Sequence, residues 1–149
     1  MRKQTSFLTI LIIITAMSLT NCRKDVSLPN PEFKKLFGQW EWVITIDSQT
    51  NDTTTPASTG ENWTIEFKDN GIYKDYKNGK RISKFVYTFS EGALLPSGNK
   101  EMLVKITNDN QLFWKKYYSE TKLIEFGYND TLYLIDRGGA GLYSTYIKK

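Results

Sequence analysis

The chain has 149 residues, of which 40% are hydrophobic and 14% aromatic, and this apolar content is enough for one globular domain. Histidine is absent and there is one cysteine, which excludes an imidazole base, a histidine-ligated metal, an internal disulfide and a thiolate cluster. The formal net charge is +4. We expect Arg2 and Lys3 to be removed, which leaves 18 basic residues against 16 acidic ones, and a charge of +2 gives no reason to expect nucleic acid as a partner.

Residues 1–21 have the organisation of a secretory signal peptide. Arg2 and Lys3 are followed by an apolar run over residues 7–19 that is shorter than the ~20 residues a membrane-spanning helix needs. The run ends in Leu19-Thr20-Asn21-Cys22, which resembles the lipobox of bacterial lipoproteins. In that motif the peptide is cleaved before the cysteine, and the cysteine is then acylated.

The lipobox resemblance implies a lipid anchor on Cys22 that holds the protein to a membrane. We expect this to be the outer membrane of a bacterial cell envelope, and the sequence leaves open whether the domain faces the periplasm or the cell surface. Several acyl chains anchor firmly, since each buried methylene contributes about 0.8 kcal/mol. The alternative is a secreted protein with an incidental cysteine. Residues 22–32 include Pro29 and Pro31 and show no periodicity, which predicts a flexible tether before a domain at 33–149.

The first strand of this domain is predicted at residues 39–47. Residues 32–37, just before it, predict one helical turn whose apolar side chains, Phe33, Leu36 and Phe37, form a plug. Residues 39–47 alternate between apolar and polar positions, and Val43 is the one apolar residue among the polar ones. This pattern predicts a strand with one buried face. The residues predicted to share that face are Trp40, Trp42, Ile44 and Ile46.

The rest of the domain reads as short strands joined by turns. The predicted strands are 62–67, 72–76, 81–89, 102–106, 112–118, two marked by 124–126 and 132–134, and a last one at 142–147. The dipeptides Asn70-Gly71 and Asn78-Gly79 are typical of hairpin turns. Residues 48–60, 91–100 and 137–141 predict loops. The pattern predicts an all-β fold, an antiparallel up-and-down barrel of about eight or nine strands.

Gly38-Gln39-Trp40 matches the Gly-X-Trp signature of the lipocalin and calycin barrels, in which the tryptophan packs across the closed end. Residues 36–43, 54–60 and 65–80 together look like the lipocalin-like lipoproteins of Bacteroidetes, and residues 129–134 and 144–149 also suit that family. The resemblance implies a fold and a location, but it does not indicate an activity. It also implies a basic residue packed over Trp40 near the last strand, for which Arg137 and Lys148 are the candidates.

Aromatic residues are the candidate ligand contacts of this barrel. We expect Trp40 to be a structural plug. The side chains predicted to line a cavity are Trp42, Trp63, Tyr73, Phe85, Tyr87 and Trp114. Aromatic walls suit small apolar or amphipathic ligands. The alternative is that these rings simply fill the barrel, because about eight strands leave room for side chains or for one small ligand.

The polar residues give no pattern typical of catalysis or of metal binding. The clustered carboxylates Glu61, Glu66, Asp69 and Asp75 are interpreted as solvated surface charge. Residues 138–141 are rich in glycine but lead into a strand, so they predict a flexible loop rather than a phosphate site. We therefore predict no enzyme, no cofactor, no metal and no catalytic residue.

Two functions remain open from the sequence. The first is a binding module that holds a small hydrophobic or amphipathic ligand inside the barrel. The second is a structural or interaction lipoprotein with a filled barrel that binds a protein or glycan through its loops, with the protein partner unknown.

Overall fold

The computed structural model describes residue 28 and residues 30–108, 119–137 and 141–149. Several predictions lie outside these residues: the signal peptide at 1–21, the lipid anchor on Cys22, most of the tether, the strand at 112–118 with Trp114, and most of the glycine-rich loop.

The described residues form a closed antiparallel barrel. Its elements are a 3₁₀ helix (Pro31–Leu36), β1 (Gly38–Asp47), β2 (Thr53–Thr54), α1 (Pro56–Thr59), β3 (Trp63–Phe67), β4 (Ile72–Lys77), β5 (Lys80–Leu94), β6 (Lys100–Thr107), β7 (Ser119–Phe126), β8 (Thr131–Asp136) and β9 (Leu142–Lys148). Strands β1 and β3–β9 pair in chain order, and β9 returns to pair with β1. The eight strands therefore leave no open edge, and β2 is an extra strand beside the second half of β1. The predicted up-and-down barrel is confirmed.

One end of the barrel is closed by the 3₁₀ helix. Phe33 and Leu36 are fully buried, as predicted for the plug, whereas Phe37 is half-buried. The Phe33 ring stacks on Phe89, with 4.2 Å between centroids. The buried core is made of Phe33, Leu36, Trp40, Ile65, Phe67, Tyr73, Tyr87, Val104, Ile106, Ile124, Leu132 and Leu134. The turns at the other end of the strands define the open end of the barrel.

Strand β1 departs from the predicted alternation. Trp42 pairs with Tyr146 and the next paired residue, Ile44, pairs with Thr145, so Val43 is the extra residue of a β-bulge. Beyond the bulge the two faces exchange. Thr45 continues the inner face of Trp42, while Ile44 and Ile46 face outward, and Ile46 is 39% exposed. The prediction that both isoleucines share the buried face is wrong.

Two predicted loops are more ordered than expected. Residues 48–60 contain β2 and α1, and α1 is capped by a reciprocal pair of hydrogen bonds between Thr55 and Ser58. The prediction that all of 48–60 is loop is therefore wrong at 53–54 and 56–59. In the 91–100 segment, β5 continues to Leu94 and β6 begins at Lys100, so the connection is only residues 95–99.

Candidate functional site

The closed end of the barrel is organised around Trp40. This side chain is 1% exposed, and its indole N–H donates to the carbonyl oxygen of Leu36 at 2.7 Å. The Lys148 ammonium lies 5.2 Å from the centre of the indole ring and donates to the carbonyl oxygen of Lys35 at 3.1 Å. Of the two basic candidates, Lys148 therefore covers Trp40, whereas Arg137 forms an ion pair with Glu101. This half of the interior is packed and structural.

The inward-facing side chains change from apolar to polar towards the open end of the barrel. In the closed half, the inward positions of β6–β8 carry Val104, Ile124 and Leu134. Two and four residues before Ile124 in β7, towards the open end, the inward positions carry Lys122 and Glu120. The open half of the interior is therefore lined by polar and aromatic residues together.

A hydrogen-bonded chain on β1 and β9 forms one wall of this open half. The Trp42 indole N–H donates to Thr45 Oγ1 at 2.9 Å, and Thr45 Oγ1 lies 2.9 Å from Ser144 Oγ. Ser144 also hydrogen-bonds Tyr146. The bulge at Val43 makes this chain possible, because without the extra residue Thr45 would face outward.

Asp75 is the centre of the opposite wall. Its carboxylate accepts hydrogen bonds from Ser83 Oγ and from Tyr73. Burial raises the pKa of Asp75, and the charge of Glu120 raises it further, while the two hydrogen bonds and Lys122 oppose this shift. Glu120 and Lys122 pair with each other at 3.3 Å. The site therefore combines a half-buried carboxylate with donors and acceptors that are already connected.

The two tyrosines beside Asp75 are held in the neutral form. Burial raises the pKa of Tyr73 well above its usual value, and the neighbouring charge of Asp75 adds to the shift. Burial likewise raises the pKa of Tyr146, again with a contribution from Asp75. Both phenols are therefore hydrogen-bonding groups and not ionised ones at neutral pH. Such an arrangement can bind the polar part of a ligand and orient it.

The inward-facing polar side chains of the open half are partly exposed to solvent. The Glu120 and Lys122 side chains are 23% and 21% exposed although the strand register places both on the inner face. Asp75 and Ser83 are also half-buried rather than sealed. The open half of the barrel is therefore accessible from solvent, unlike the closed half around Trp40.

The predicted aromatic contacts occupy three levels of the barrel. Trp42, Tyr73 and Phe85 are on the inner face of the open half, and the rings of Tyr73 and Phe85 stack with 6.2 Å between centroids. Trp63 lies at the rim, where its indole N–H donates to Glu61 at 3.0 Å. Tyr87 packs in the closed half against Phe67 and Phe89. Trp114 lies outside the described residues.

Sequence reasoning missed the polar members of the site. The interpretation of Asp75 as solvated surface charge is wrong, because Asp75 is opposite Ile65 and Ser83 on the inner face. The interpretation as surface charge fits Glu66 better, because the Glu66 side chain faces outward and pairs with Lys74 at 3.0 Å. The predicted strand at 72–76 could have located Asp75 on the inner face. In any regular strand Asp75 shares a face with Tyr73, which is predicted to line the cavity.

Comparisons of the chain with protein-family models, with curated proteins and with solved structures found no match. Within the described residues, no helix has both the length and the apolar character needed to cross a bilayer. In the same part of the chain, no group of three or more carboxylate side chains is arranged to hold a metal ion.

Proposed function

We propose that this protein is a non-catalytic binding module that takes a small amphipathic ligand into the open half of its barrel. The observation that carries the proposal is the solvent access of inward-facing polar residues, above all Glu120 and Lys122. A barrel of eight strands that is simply filled would place apolar side chains at such positions and exclude water from them.

The site favours an amphipathic ligand over a purely apolar one. Trp42, Tyr73, Phe85 and Tyr146 offer ring surface to the apolar part of a ligand. Asp75 offers a carboxylate that can accept a further hydrogen bond, and the Thr45–Ser144 pair offers hydroxyl groups. A wholly apolar ligand would displace water from these polar groups without replacing its hydrogen bonds, which costs free energy.

The proposal includes a membrane anchor on Cys22. It is supported by the resemblance of residues 19–22 to a lipobox and by the resemblance of the domain to the lipocalin-like lipoproteins of Bacteroidetes. On this proposal the module is held at the bacterial cell envelope, on the outer membrane, by its acylated cysteine. A ligand carrier in this position would meet amphipathic molecules as they enter or leave the envelope.

A second candidate function is binding of a protein or glycan through the loops, with the barrel filled. The observation that favours it is the order of the 48–60 segment, where α1 and the outer surface of the barrel enclose a groove of about 410 Å³. In this case the ligand site would lie on the outside of β1, beside Pro56 and Ala57, and the interior would serve stability alone.

Native mass spectrometry of the protein, gently extracted from its own membrane, tests the proposal. We expect a reproducible adduct that is lost on denaturation, on a chain that begins at Cys22 and carries acyl groups. A protein without an adduct that also fails to take up amphipathic molecules added to the extract would contradict the binding function. A chain that keeps residues 1–21 would contradict the anchor without bearing on the ligand.

A further inference from the structure

One side of the barrel exposes an unusual amount of apolar surface. Val43, Ile46, Tyr133, Tyr143 and Ile147 are each between 37% and 47% exposed, and all belong to β1, β8 and β9. These three strands are neighbours in the sheet. The residues therefore form one continuous surface. Single exposed apolar side chains would need no explanation, but a continuous apolar surface does.

Strand pairing shows that the surface is continuous. Tyr143 is opposite Ile46 on one side and Ile135 on the other, and Thr145 is opposite both Ile44 and Tyr133. Leu123 of β7 extends the surface beyond Ile135. We call the outward apolar side chains of these four strands, together with Thr145, the apolar face: Val43, Ile44, Ile46, Leu123, Tyr133, Ile135, Tyr143, Thr145 and Ile147.

Few charged side chains face outward on these strands. Glu125 lies near the end of β7 and Arg137 directly follows β8, whereas Glu41 is opposite Ile147 in the pairing of β1 with β9. The outer surface of β3–β5 is different, since Glu66 pairs there with Lys74 and Lys84 lies beside them. The exposed large apolar residues of β5, Ile82 and Leu94, are twelve positions apart, so adjacent apolar exposure is a feature of β1, β8 and β9.

The groove beside α1 continues the apolar face. Its volume is about 410 Å³, and it is lined by Val43, Ile147, Pro56 and Ala57 together with Glu41, Trp42 and Thr55. The surface thus contains exposed tyrosines and, next to them, a groove large enough for an aromatic side chain. A surface that carries both the projecting and the receiving feature is complementary to itself, as a two-fold interface requires.

We propose that a second copy of this chain covers the apolar face, with the outer sheet surfaces of β1 and β7–β9 packed against each other around a two-fold axis. Four strands about 4.8 Å apart and about six residues of about 3.3 Å each give roughly 400 Å² per copy. With the groove and the rims, the pair approaches the ~1,000 Å² that a specific interface requires, so we expect a weak dimer. This inference is independent of ligand binding inside the barrel.

Cysteine cross-linking in cells that produce the full chain tests the interface. Thr145→Cys places a thiol at the centre of the apolar face, and Thr88→Cys places one on the outer surface of β5 as the matched control. With a short bis-maleimide, we expect a product of twice the chain mass from Thr145→Cys and only background from Thr88→Cys. The chain without an added cysteine gives the background that arises from Cys22.

A second variant separates a specific interface from random collision. Adding Ile46→Ser and Tyr143→Ser to Thr145→Cys should reduce the cross-linked dimer by about tenfold, because an aromatic anchor near the centre is lost. Both side chains are exposed, and an unchanged far-UV circular dichroism spectrum would show that the variant folds. If it does not fold, the contrast between Thr145→Cys and Thr88→Cys still decides.

Three results would overturn the proposal. The first is equal dimer yield from Thr145→Cys and Thr88→Cys, which would indicate collision in the membrane. The second is no dimer from Thr145→Cys. The third is a product of Thr145→Cys whose mass is not twice that of the chain, which would show that a different protein covers the apolar face.

Discussion

The ammonium group of Lys148 lies 5.2 Å from the centre of the Trp40 indole ring, opposite it in the pairing of β9 with β1. The two side chains also bind adjacent carbonyl groups, those of Lys35 and Leu36, at the end of the 3₁₀ helix. Carbonyl groups at a helix end have no partners within the helix, and a cation is favourable there. This pair therefore fastens the plug to the first and last strands of the barrel.

Replacing Trp40 by alanine should lower the free energy of unfolding by about 3–5 kcal/mol, because a buried aromatic side chain is removed and a cavity remains. Urea denaturation of the full chain measures the change. Trp63→Ala, at the half-buried rim, is the matched control and should cost less. A loss under about 1 kcal/mol for Trp40→Ala would contradict its role as a buried plug.

Replacing Lys148 by methionine should lower the free energy of unfolding by about 1 kcal/mol, the size of an exposed cation–π contact together with one hydrogen bond. Methionine keeps most of the aliphatic stem, so the loss reports the ammonium group. Lys149→Met is the control, because the interaction found for Lys149 is a backbone hydrogen bond to Gln39. Equal effects of the two substitutions would count against a specific contact with Trp40.

Replacing Thr45 by valine should cost about 1–3 kcal/mol, because the Trp42 indole N–H loses its acceptor while little volume changes. Thermal unfolding measures the loss, with Thr53→Val on the exposed strand β2 as the control. If both variants unfold like the unaltered chain, the hydrogen-bonded chain from Trp42 to Ser144 does not contribute to stability.

Asp75 and Glu66 should affect the pH dependence of stability with opposite signs. Burial raises the pKa of Asp75 above 3.8, so the native state holds the proton more tightly than the unfolded state. The stability contributed by neutral Asp75 is present below pH 3.8 and is lost as pH rises through the native pKa. The difference in unfolding free energy between the unaltered chain and Asp75→Asn should therefore decrease as pH rises through this window.

For Glu66, burial alone would raise the pKa, but hydrogen bonds from Tyr76 and Lys74 hold the pKa below 4.5. The stability that ionised Glu66 contributes is present above pH 4.5 and is lost as pH falls through the native pKa. Glu66→Gln is thus a control on the same sheet whose effect on the free energy of unfolding should change with pH in the opposite direction. Urea denaturation across the acid range measures both effects. Parallel pH profiles for the two variants would contradict the inward placement of Asp75.

Much of the barrel follows from alternation in the sequence. Trp63, Ile65 and Phe67 in β3, and Met102, Val104 and Ile106 in β6, face inward as their period of two predicts. The hairpin at Asn78-Gly79 is also predictable, because both residues adopt positive φ, 50° and 76°, as a two-residue turn requires.

The bulge and α1 were harder to predict because they depend on contacts with other strands. The apolar Val43 at a predicted polar position indicated that the alternation changes there. The extra residue is located only by the pairing of Trp42 with Tyr146 and of Ile44 with Thr145. In α1, Thr55 followed by Pro56, with Gly60 after the helix, is a start and stop signal that the surrounding polar residues obscure. The inner polar site was missed because a charged residue in a strand is usually on the wet face.

Binding of a fluorescent amphipathic probe, 1-anilinonaphthalene-8-sulfonate, tests most directly whether the open half of the barrel receives ligands. Ser83→Trp places a large side chain beside Asp75 on the inner face of β5, and Lys84→Trp places the same side chain on the outer face one residue later. We predict that the full chain binds the probe, that Ser83→Trp weakens binding by about tenfold or more, as expected when a pocket is filled, and that Lys84→Trp does not. Absence of probe binding, or equal binding by the two variants, would contradict a ligand site inside the barrel.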